Sequence, residues 1–195
     1  MTISVDDIKR LRADTGAGMM DCRKALTDSN GDFDGAVVFL RKKGLADIKG
    51  RGHKATSEGV VGSYIHTGSK LGVLVSVDCE TDFASKSDDF QMFVKDLAMH
   101  VAAANPQWVR REDVSQDIID RETEIVSVGL DGKPDNIIEK IVSGRLNKFY
   151  KDTCLMEQAW IKDPNLTITD LLGNVASQIK ENIVVKRFAR FVAGE

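Results

Sequence analysis

A glycine hinge near the start of the chain is the feature that most constrains its fold. Residues 15–18 read Thr-Gly-Ala-Gly, and apolar residues at helical spacing lie on both sides of this run. Glycine accepts the positive φ angles at which one helix ends and another begins a few residues later. The run therefore predicts a tight corner, with Met19 and Met20 in the first turn of the second helix. Methionines there can pack inward or form an adaptable contact surface, and the pattern alone favours packing inward.

Two further segments complete a predicted three-helix bundle over residues 1–45. The first helix has Ser4 as its N-cap, because Asp7 follows three residues later in an arrangement related to the capping box. The second helix runs from residue 19 to 29, and the third begins after Asp32 and ends at Gly44. The expected core residues, which recur at helical spacing, are Val5, Ile8, Leu11, Met20, Ala25, Leu26, Phe33, Ala36, Val37 and Leu40.

A basic stretch follows the bundle. Six basic residues and one acid lie between Arg41 and Lys54, a local charge of +5 in a chain whose net charge is −3. Together with Gly50 and Gly52, the stretch predicts a flexible or weakly helical linker over residues 46–56. A solvated linker, a protein-docking patch and a nucleic-acid contact all fit this charge. No aromatic residue is interleaved with the basic residues, however, so stacking on single-stranded bases is not expected.

The remaining residues, 57–195, have the pattern of an α+β core with a small antiparallel sheet. Residues 60–66 and 71–79 are rich in β-branched side chains on either side of a short link, which predicts a hairpin, and residues 184–192 predict a third strand. Four helices are expected around these strands. They cover the stripe from Phe90 to Val101 that Asn105 and Pro106 end, residues 118–128, the segment after Pro134 as far as Phe149, and residues 171–179.

Composition and motifs exclude several classes of function. Cys22, Cys79 and Cys154 are far apart and form no Cys-x-x-Cys pair, so neither a zinc site nor a disulfide framework is expected. No run of 18 apolar residues and no basic-apolar leader occurs, which predicts a protein of the cytoplasm or an organelle matrix. The sequence contains no nucleophile elbow, phosphate-binding loop or His-Glu-x-x-His motif, so we expect no enzyme.

The sequence Glu-Thr-Asp-Phe at residues 80–83 joins the second predicted strand to helical residues. Thr81 can cap the start of that helix, which places Asp82 and Phe83 in an exposed first turn, where the helix dipole favours an acid. A lone aromatic residue near a helix start is more often part of a core. From the pattern alone, the role of Phe83 is ambiguous.

Three motifs, in matching order and spacing, resemble those of the elongation factor Ts family. They are residues 11–26, residues 58–66 and residues 80–83. Elongation factor Ts is the guanine-nucleotide exchange factor for elongation factor Tu. The resemblance implies that the N-terminal bundle is of the ubiquitin-associated type and docks on the G domain of that partner. The docking residues that it implies are Arg12, Met19, Met20 and Arg23. Arg23 replaces a lysine common in the family, which keeps the charge but changes the donor geometry.

The resemblance also assigns nucleotide exchange to Thr81, Asp82, Phe83 and Ala84. It implies that Phe83 enters the G domain beside the bound magnesium and that Asp82 helps to displace helices around the nucleotide phosphates, so that GDP leaves. Family members usually continue with Val-Ala after the phenylalanine, whereas this chain has Ala84 and Ser85. The packing of the turn is therefore an open point.

His100 lies in a further segment that matches the family, and we expect it to contact the partner. The resemblance implies that GDP, GTP and magnesium belong to elongation factor Tu, so this chain is expected to hold no cofactor and no metal. In length it resembles short members with a single core unit, which pair into a homodimer through the core sheet and bind two molecules of elongation factor Tu. An open strand edge gives such pairing a physical motive.

We therefore expect an exchange factor with no direct nucleic-acid or membrane contact. Two alternatives stay open. The first is a non-exchanging module whose bundle binds another protein or the ribosome. The second is an RNA-binding protein that uses the basic stretch, and its affinity would fall steeply with salt concentration.

Overall fold

The computed structural model describes residues 3–128, 130 and 134–194, and at residues 47–49 it describes the backbone alone. Its helices and two small antiparallel sheets confirm the α+β class. The first three helices are α1 (Val5–Thr15), α2 (Met19–Asp28) and α3 (Phe33–Arg51). They form the predicted bundle around one apolar cluster. Its buried residues are Ile8, Leu11, Cys22, Ala25, Leu26, Ala36 and Leu40.

The caps of α1 follow the sequence prediction. The side chain of Ser4 accepts a hydrogen bond from the backbone N–H of Asp7 at 3.0 Å. At the other end Gly16 adopts a left-handed conformation with φ of 69°, and its N–H donates to the carbonyl of Arg12. This glycine therefore makes the corner between α1 and α2 that the hinge predicts.

Two details of the bundle differ from the prediction. Met20 is not a core residue, because its side chain is 72% exposed while Cys22 and Leu26 occupy the inner face of α2. Val5 is exposed as well, since it lies at the outer side of the first turn of α1. Asp32 is the N-cap of α3 as expected, although its side chain makes no capping hydrogen bond.

Helix α3 is longer than the sequence pattern predicts. The predicted end at Gly44 is wrong, because the helix continues to Arg51. Gly44 instead marks the point at which α3 approaches helix α8 (Ile168–Ile179) closely. A Cβ added to Gly44 would lie 3.1 Å from the carbonyl carbon of Gly173. The predicted linker over 46–56 is thus helical as far as Arg51. The division of the chain into bundle, linker and core remains a prediction.

The main sheet has the strand order β1 (Glu58–Ile65), β2 (Leu71–Cys79) and β5 (Ile183–Val192), with antiparallel neighbours. The predicted hairpin and third strand are confirmed. One face of β2 buries Val73, Val75 and Val77 in the main core, and helix α5 (Asp88–Ala104) covers that face. The sheet and α5 together form the platform from which the site described below projects.

Four other helices complete the fold: α4 (Asp82–Ser85), α6 (Gln116–Ser127), α7 (Asp135–Thr153) and α8. The predicted helices over the last three are confirmed, and α5 ends at Asn105 in a left-handed conformation. A second, two-stranded sheet of β3 (Ala159–Trp160) and β4 (Asp163–Thr167) was not predicted, because its strands are too short for a clear alternation.

Helices α6 and α7 pack on each other. None of their described residues is buried. Over the described ranges, no helix combines the length and the apolar character that crossing a membrane requires.

Candidate functional site

A sharp corner after β2 holds the four residues that the resemblance assigns to nucleotide exchange. Strand β2 ends at Cys79, and helix α4 starts after Thr81, whose backbone is extended with φ of −129° and ψ of 156°. The hydroxyl of Thr81 accepts a hydrogen bond from the Ala84 amide at 3.2 Å, which confirms its predicted role as a helix cap. We call residues 81–84 the 81–84 turn.

Neighbouring residues of this turn have opposite environments. Phe83 is 83% exposed, whereas Ala84 is buried in the main apolar core. Ser85 is buried too, and its hydroxyl donates to the carbonyl of Asp82 at 2.8 Å. Ala84 and Ser85 are the positions at which this chain departs from the usual family pattern, and both are accommodated in a packed turn. The core therefore anchors the backbone while the ring of Phe83 projects into solvent.

The turn is tied to the segment before β5, which lies 100 residues further along the chain. The backbone N–H of Thr81 donates to Oε2 of Glu181 at 3.1 Å, and its hydroxyl donates to Oε1 of the same carboxylate at 2.6 Å. In the opposite direction, the N–H of Asn182 donates to Oε1 of Glu80 at 2.6 Å. The other oxygen of Glu80 pairs with Lys54 at 3.0 Å. Two strand ends are therefore fastened to each other by two carboxylates.

Charges at the turn are set by local partners. Asp82 lies 2.7 Å from Lys86, and the hydrogen bond from that ammonium lowers the pKa of Asp82, so the turn carries an ionised carboxylate at neutral pH. Hydrogen bonds from the Asn182 amide and from Lys54 likewise lower the pKa of Glu80. Burial raises the pKa of the Cys79 thiol to about 11, which keeps it protonated and unreactive.

The proposed docking residues of the bundle are all at its surface. Arg12, Met19, Met20 and Arg23 are exposed, and the first three line a groove of about 620 Å³ between the bundle and the core. Arg23 is not among the lining residues. The core side of the groove is formed by Asp89, Ser177, Gln178 and Lys180. Because Asp89 belongs to the first turn of α5, which follows α4 directly, the groove lies close in the chain to the 81–84 turn.

The predicted direct contact of His100 with a partner is wrong. His100 is fully buried, and its Nε2 lies 3.0 Å from Oε1 of Gln158. The N–H of Ile161 donates to its Nδ1 at 3.4 Å. Burial lowers the pKa of the ring, which is neutral at pH 7. The residue joins α5 to the residues on both sides of β3 and presents no surface to another molecule.

Sequence reasoning missed Glu80, Glu181 and Asn182. These residues could be found only from the strand register. Cys79 pairs with Ile183 in the antiparallel sheet. Continuing this register by one and two residues places Glu80 opposite Asn182 and Thr81 opposite Glu181. The sequence indicates that the third strand exists but not its register. Acids and amides at strand ends are also common enough that composition does not single these three out.

Two further observations concern the chemistry that the site can hold. Over the described residues, no three side chains of His, Cys, Asp or Glu come together in a way that could bind a metal ion. Cys22, Cys79 and Cys154 are buried and none is in a disulfide. The site thus consists of an exposed aromatic ring and an ionised carboxylate on a fastened turn, an arrangement suited to protein contact.

The family follows from comparison with known proteins. The family model described as elongation factor TS matches residues 48–195. The chain belongs to the elongation factor Ts family. It is 55% identical to the elongation factor Ts of Geobacter sulfurreducens and 53% identical to that of Geotalea daltonii, in both cases over 100% of this chain and 91% of the relative. Its identity to the elongation factor Ts of Thermoanaerobacter sp. is 49%, over 99% of this chain and 96% of the relative.

These matches cover the two surfaces differently. The elongation factor Ts model includes the 81–84 turn and the segment before β5, but it begins only in the last turn of α3 and so leaves out α1, α2 and most of α3. The relatives match over the bundle as well, so the groove residues Arg12, Met19 and Met20 lie within the full-length similarity. The full-length relatives therefore share both surfaces with this chain, and the family model covers the turn.

Proposed function

We propose that this chain is a guanine-nucleotide exchange factor that binds elongation factor Tu in its GDP-bound state, displaces magnesium and promotes GDP release so that GTP can bind. The observation that carries the proposal is the exposed ring of Phe83 on a turn that the core holds fixed. A large apolar side chain that is exposed on a rigid backbone contributes little to the stability of the fold. It has much apolar area to bury in a partner.

Magnesium and the backbone amides of a phosphate-binding loop provide most of the interactions that bind a diphosphate. Phe83 enters the G domain of the partner beside this site, and the carboxylate of Asp82 assists the displacement of helices around the phosphates. When the metal contact is lost, the negative charges of GDP are less compensated and the nucleotide leaves faster. The coupling is reciprocal, so nucleotide binding weakens factor binding by the same free energy, and the factor is released for another cycle.

The bundle supplies a second contact in this proposal. Arg12, Met19, Met20 and Arg23 dock on the G domain, with the methionines as an adaptable apolar surface and the arginines as donors. We assign docking to residues 1–45, spacing to residues 46–56, and exchange with dimerisation to residues 57–195. Helix α3 crosses the boundary between residues 45 and 46. The bundle and the core are therefore joined by a continuous helix when they approach the partner.

The proposed factor makes and breaks no covalent bond, so it is not an enzyme in the usual sense. GDP, GTP and magnesium are bound by the partner. We place the protein in the cytoplasm or an organelle matrix, where elongation factor Tu works, and we propose no direct nucleic-acid contact because the chain has a net charge of −3.

The outer face of the main sheet supports a homodimer and hence a complex of two factors with two molecules of elongation factor Tu. Val61, Ile65, Leu74 and Phe191 are exposed. The strand register places Ile65 and Phe191 opposite the same residue, Gly72, on its two neighbouring strands. A contiguous apolar sheet face of this kind is typical of a protein–protein interface. A second copy of the chain would cover it.

The experiment that tests the proposed function is the release of a fluorescent GDP analogue from elongation factor Tu. The complex is mixed with excess unlabelled GDP, and the release rate is measured at rising concentrations of this protein. We expect a large acceleration that saturates. Binding without acceleration would contradict exchange and favour a docking module that uses the bundle alone.

A further inference from the structure

The segment at the end of α8 contacts both proposed partner surfaces. The side chain of Gln178 donates a hydrogen bond to the carbonyl of Gly16, in the hinge between α1 and α2. The carbonyl of Lys180 accepts one from Arg51, at the end of α3. The next residue, Glu181, holds Thr81 at the head of the 81–84 turn. A single short segment therefore connects the bundle to the turn.

We infer that Glu181 is a positioning residue for nucleotide exchange, whose carboxylate holds the Thr81 cap so that Phe83 meets the partner in one orientation. The inference rests on the proposed function. It assigns a role to a residue that does not itself reach the partner's nucleotide site. Its effect is transmitted through Thr81 to the backbone of the turn.

The turn needs such support because it has little structure of its own. Helix α4 is a single turn of four residues, and one helical turn is unstable in isolation because nucleation fixes several dihedral angles for one hydrogen bond. The exposed ring of Phe83 adds almost no packing that would fix its direction. The direction of the ring is therefore determined by the cap at Thr81 and by the buried side chain of Ala84.

The hydroxyl of Thr81 is the link between the two residues. It donates to Glu181 at 2.6 Å and accepts from the amide of Ala84 at 3.2 Å. A hydroxyl that donates to a carboxylate has its rotation fixed, so its lone pairs stay directed at the amide. The second oxygen of Glu181 accepts the backbone N–H of Thr81 at 3.1 Å. Two charge-assisted hydrogen bonds therefore hold both the side chain and the backbone of the cap.

Loss of this clamp should reduce the rate of exchange more than the strength of binding. The bundle still contacts the partner when the turn is loose, so the concentration of factor that gives half of the maximal effect changes little. The maximal rate falls, because a displaced group that must enter a defined site loses most of its effect within about 1 Å. A residue that only stabilised the fold would not lower the maximal rate while leaving the half-saturating concentration unchanged.

The test measures GDP release at saturating and at half-saturating factor for Glu181→Ala and Glu181→Gln. We expect Glu181→Ala to lower the maximal rate by about tenfold, the effect of losing charge-assisted hydrogen bonds, with the half-saturating concentration changed less than about twofold. Glu181→Gln should retain most of the rate, because its amide oxygen still accepts from the Thr81 backbone and its amide group can donate to the hydroxyl. A normal maximal rate for Glu181→Ala would overturn the inference, as would a loss confined to the half-saturating concentration.

The matched control is Glu157→Ala. Glu157 also clamps a distant residue with its carboxylate, since both of its oxygens accept hydrogen bonds from Arg111. The guanidinium of Arg111 also donates to Asn147 on α7 rather than to the 81–84 turn. We expect its maximal rate to be that of the wild-type protein, and an equal loss in both variants would overturn the inference. If Glu181→Ala does not fold, Glu181→Asp replaces it, because the shorter side chain withdraws the carboxylate from Thr81 while keeping the charge.

The same assay separates failure of this inference from failure of the proposed function. If the wild-type protein does not accelerate GDP release at all, the proposed function fails, and the inference fails with it. If the wild-type protein does accelerate release and Glu181→Ala is equally active, only the positioning role is wrong.

Discussion

The guanidinium of Arg41 and the carboxylate of Asp170 form a bidentate ion pair that joins α3 to α8. Nε lies 2.6 Å from Oδ1, and Nη2 lies 2.5 Å from Oδ2. The Asp170 side chain is only 3% exposed, and it also accepts hydrogen bonds from the backbone and hydroxyl of Thr167 in the capping box of α8. A buried carboxylate thus holds the last helix of the bundle on the core.

We predict that Arg41→Ala lowers the free energy of unfolding by about 3 kcal/mol, because a buried carboxylate loses its charge partner. Urea denaturation at pH 7 measures this loss. The matched control is Lys162→Ala, which breaks a more exposed ion pair with Asp96 and should cost less than about 1 kcal/mol. Equal losses in the two variants would show that the Arg41 pair is no stronger than a surface pair.

Asp170 should also make the fold sensitive to acid. Burial raises the pKa of Asp170, but hydrogen bonds from Arg41 and Thr167 lower it by more, so it lies below its ordinary value. Between the folded and unfolded pKa values the unfolded chain binds more protons, so stability rises with pH. The stabilisation is complete above the unfolded value, near about 4, and is lost as the pH falls through the folded value.

The variant Asp170→Asn tests this linkage. We expect it to be less stable than the wild-type protein at pH 7 but to lose less further stability on acidification to pH 3. Unfolding free energies from urea denaturation at a series of pH values provide the comparison. Parallel pH curves for the two proteins would mean that another carboxyl group is responsible for the acid sensitivity.

Two of the three glycines of α3, Gly44 and Gly50, should respond in opposite ways to substitution. A Cβ on Gly44 would lie 3.1 Å from the backbone of Gly173, so Gly44→Val should destabilise the fold by about 2 kcal/mol through overpacking. A Cβ on Gly50 would meet nothing within 4 Å, so Gly50→Ala should stabilise it by up to about 1 kcal/mol through helix propensity. Thermal denaturation compares them. A destabilising Gly50→Ala would indicate that the helix does not extend past Gly44.

Much of the fold could be predicted from local patterns, because its signals are local. The Gly16 corner, the Ser4 and Thr81 caps and the stripe of α5 each depend on residues a few positions apart. The length of α3 could not be predicted. Gly44 lies inside the helix, where α3 packs on α8 against Gly173, a residue far away in the chain.

The part of the site that depends on neighbouring residues was also predictable from the sequence. The motif resemblance located the 81–84 turn, and the structure agrees that Phe83 is exposed there. The clamp by Glu181 depends on strand register over 100 residues, which no local pattern contains. His100 shows the opposite error, since a histidine in a family-like segment was interpreted as a contact although the fold buries it against Gln158.

The outer sheet face should determine the oligomeric state. We predict that Phe191→Lys, which places a charge on this face at a residue 63% exposed in the isolated chain, converts the proposed dimer to a monomer. Light scattering coupled to size-exclusion chromatography measures the mass. Ile125→Lys on α6 is the control, because Ile125 is similarly exposed but lies on another surface, and it should leave the dimer intact. A wild-type protein that is monomeric would contradict the proposed homodimer.

The most direct test of the central claim compares Phe83→Ala with the wild-type protein in GDP release from elongation factor Tu. We predict that the maximal rate falls by more than about tenfold, because the ring that enters the partner is lost. The free energy of unfolding should change by less than about 0.5 kcal/mol, because the ring is exposed. Met92→Ala, at another exposed apolar residue, should keep the wild-type rate. A Phe83→Ala protein that exchanges normally, or one that unfolds, would contradict the account.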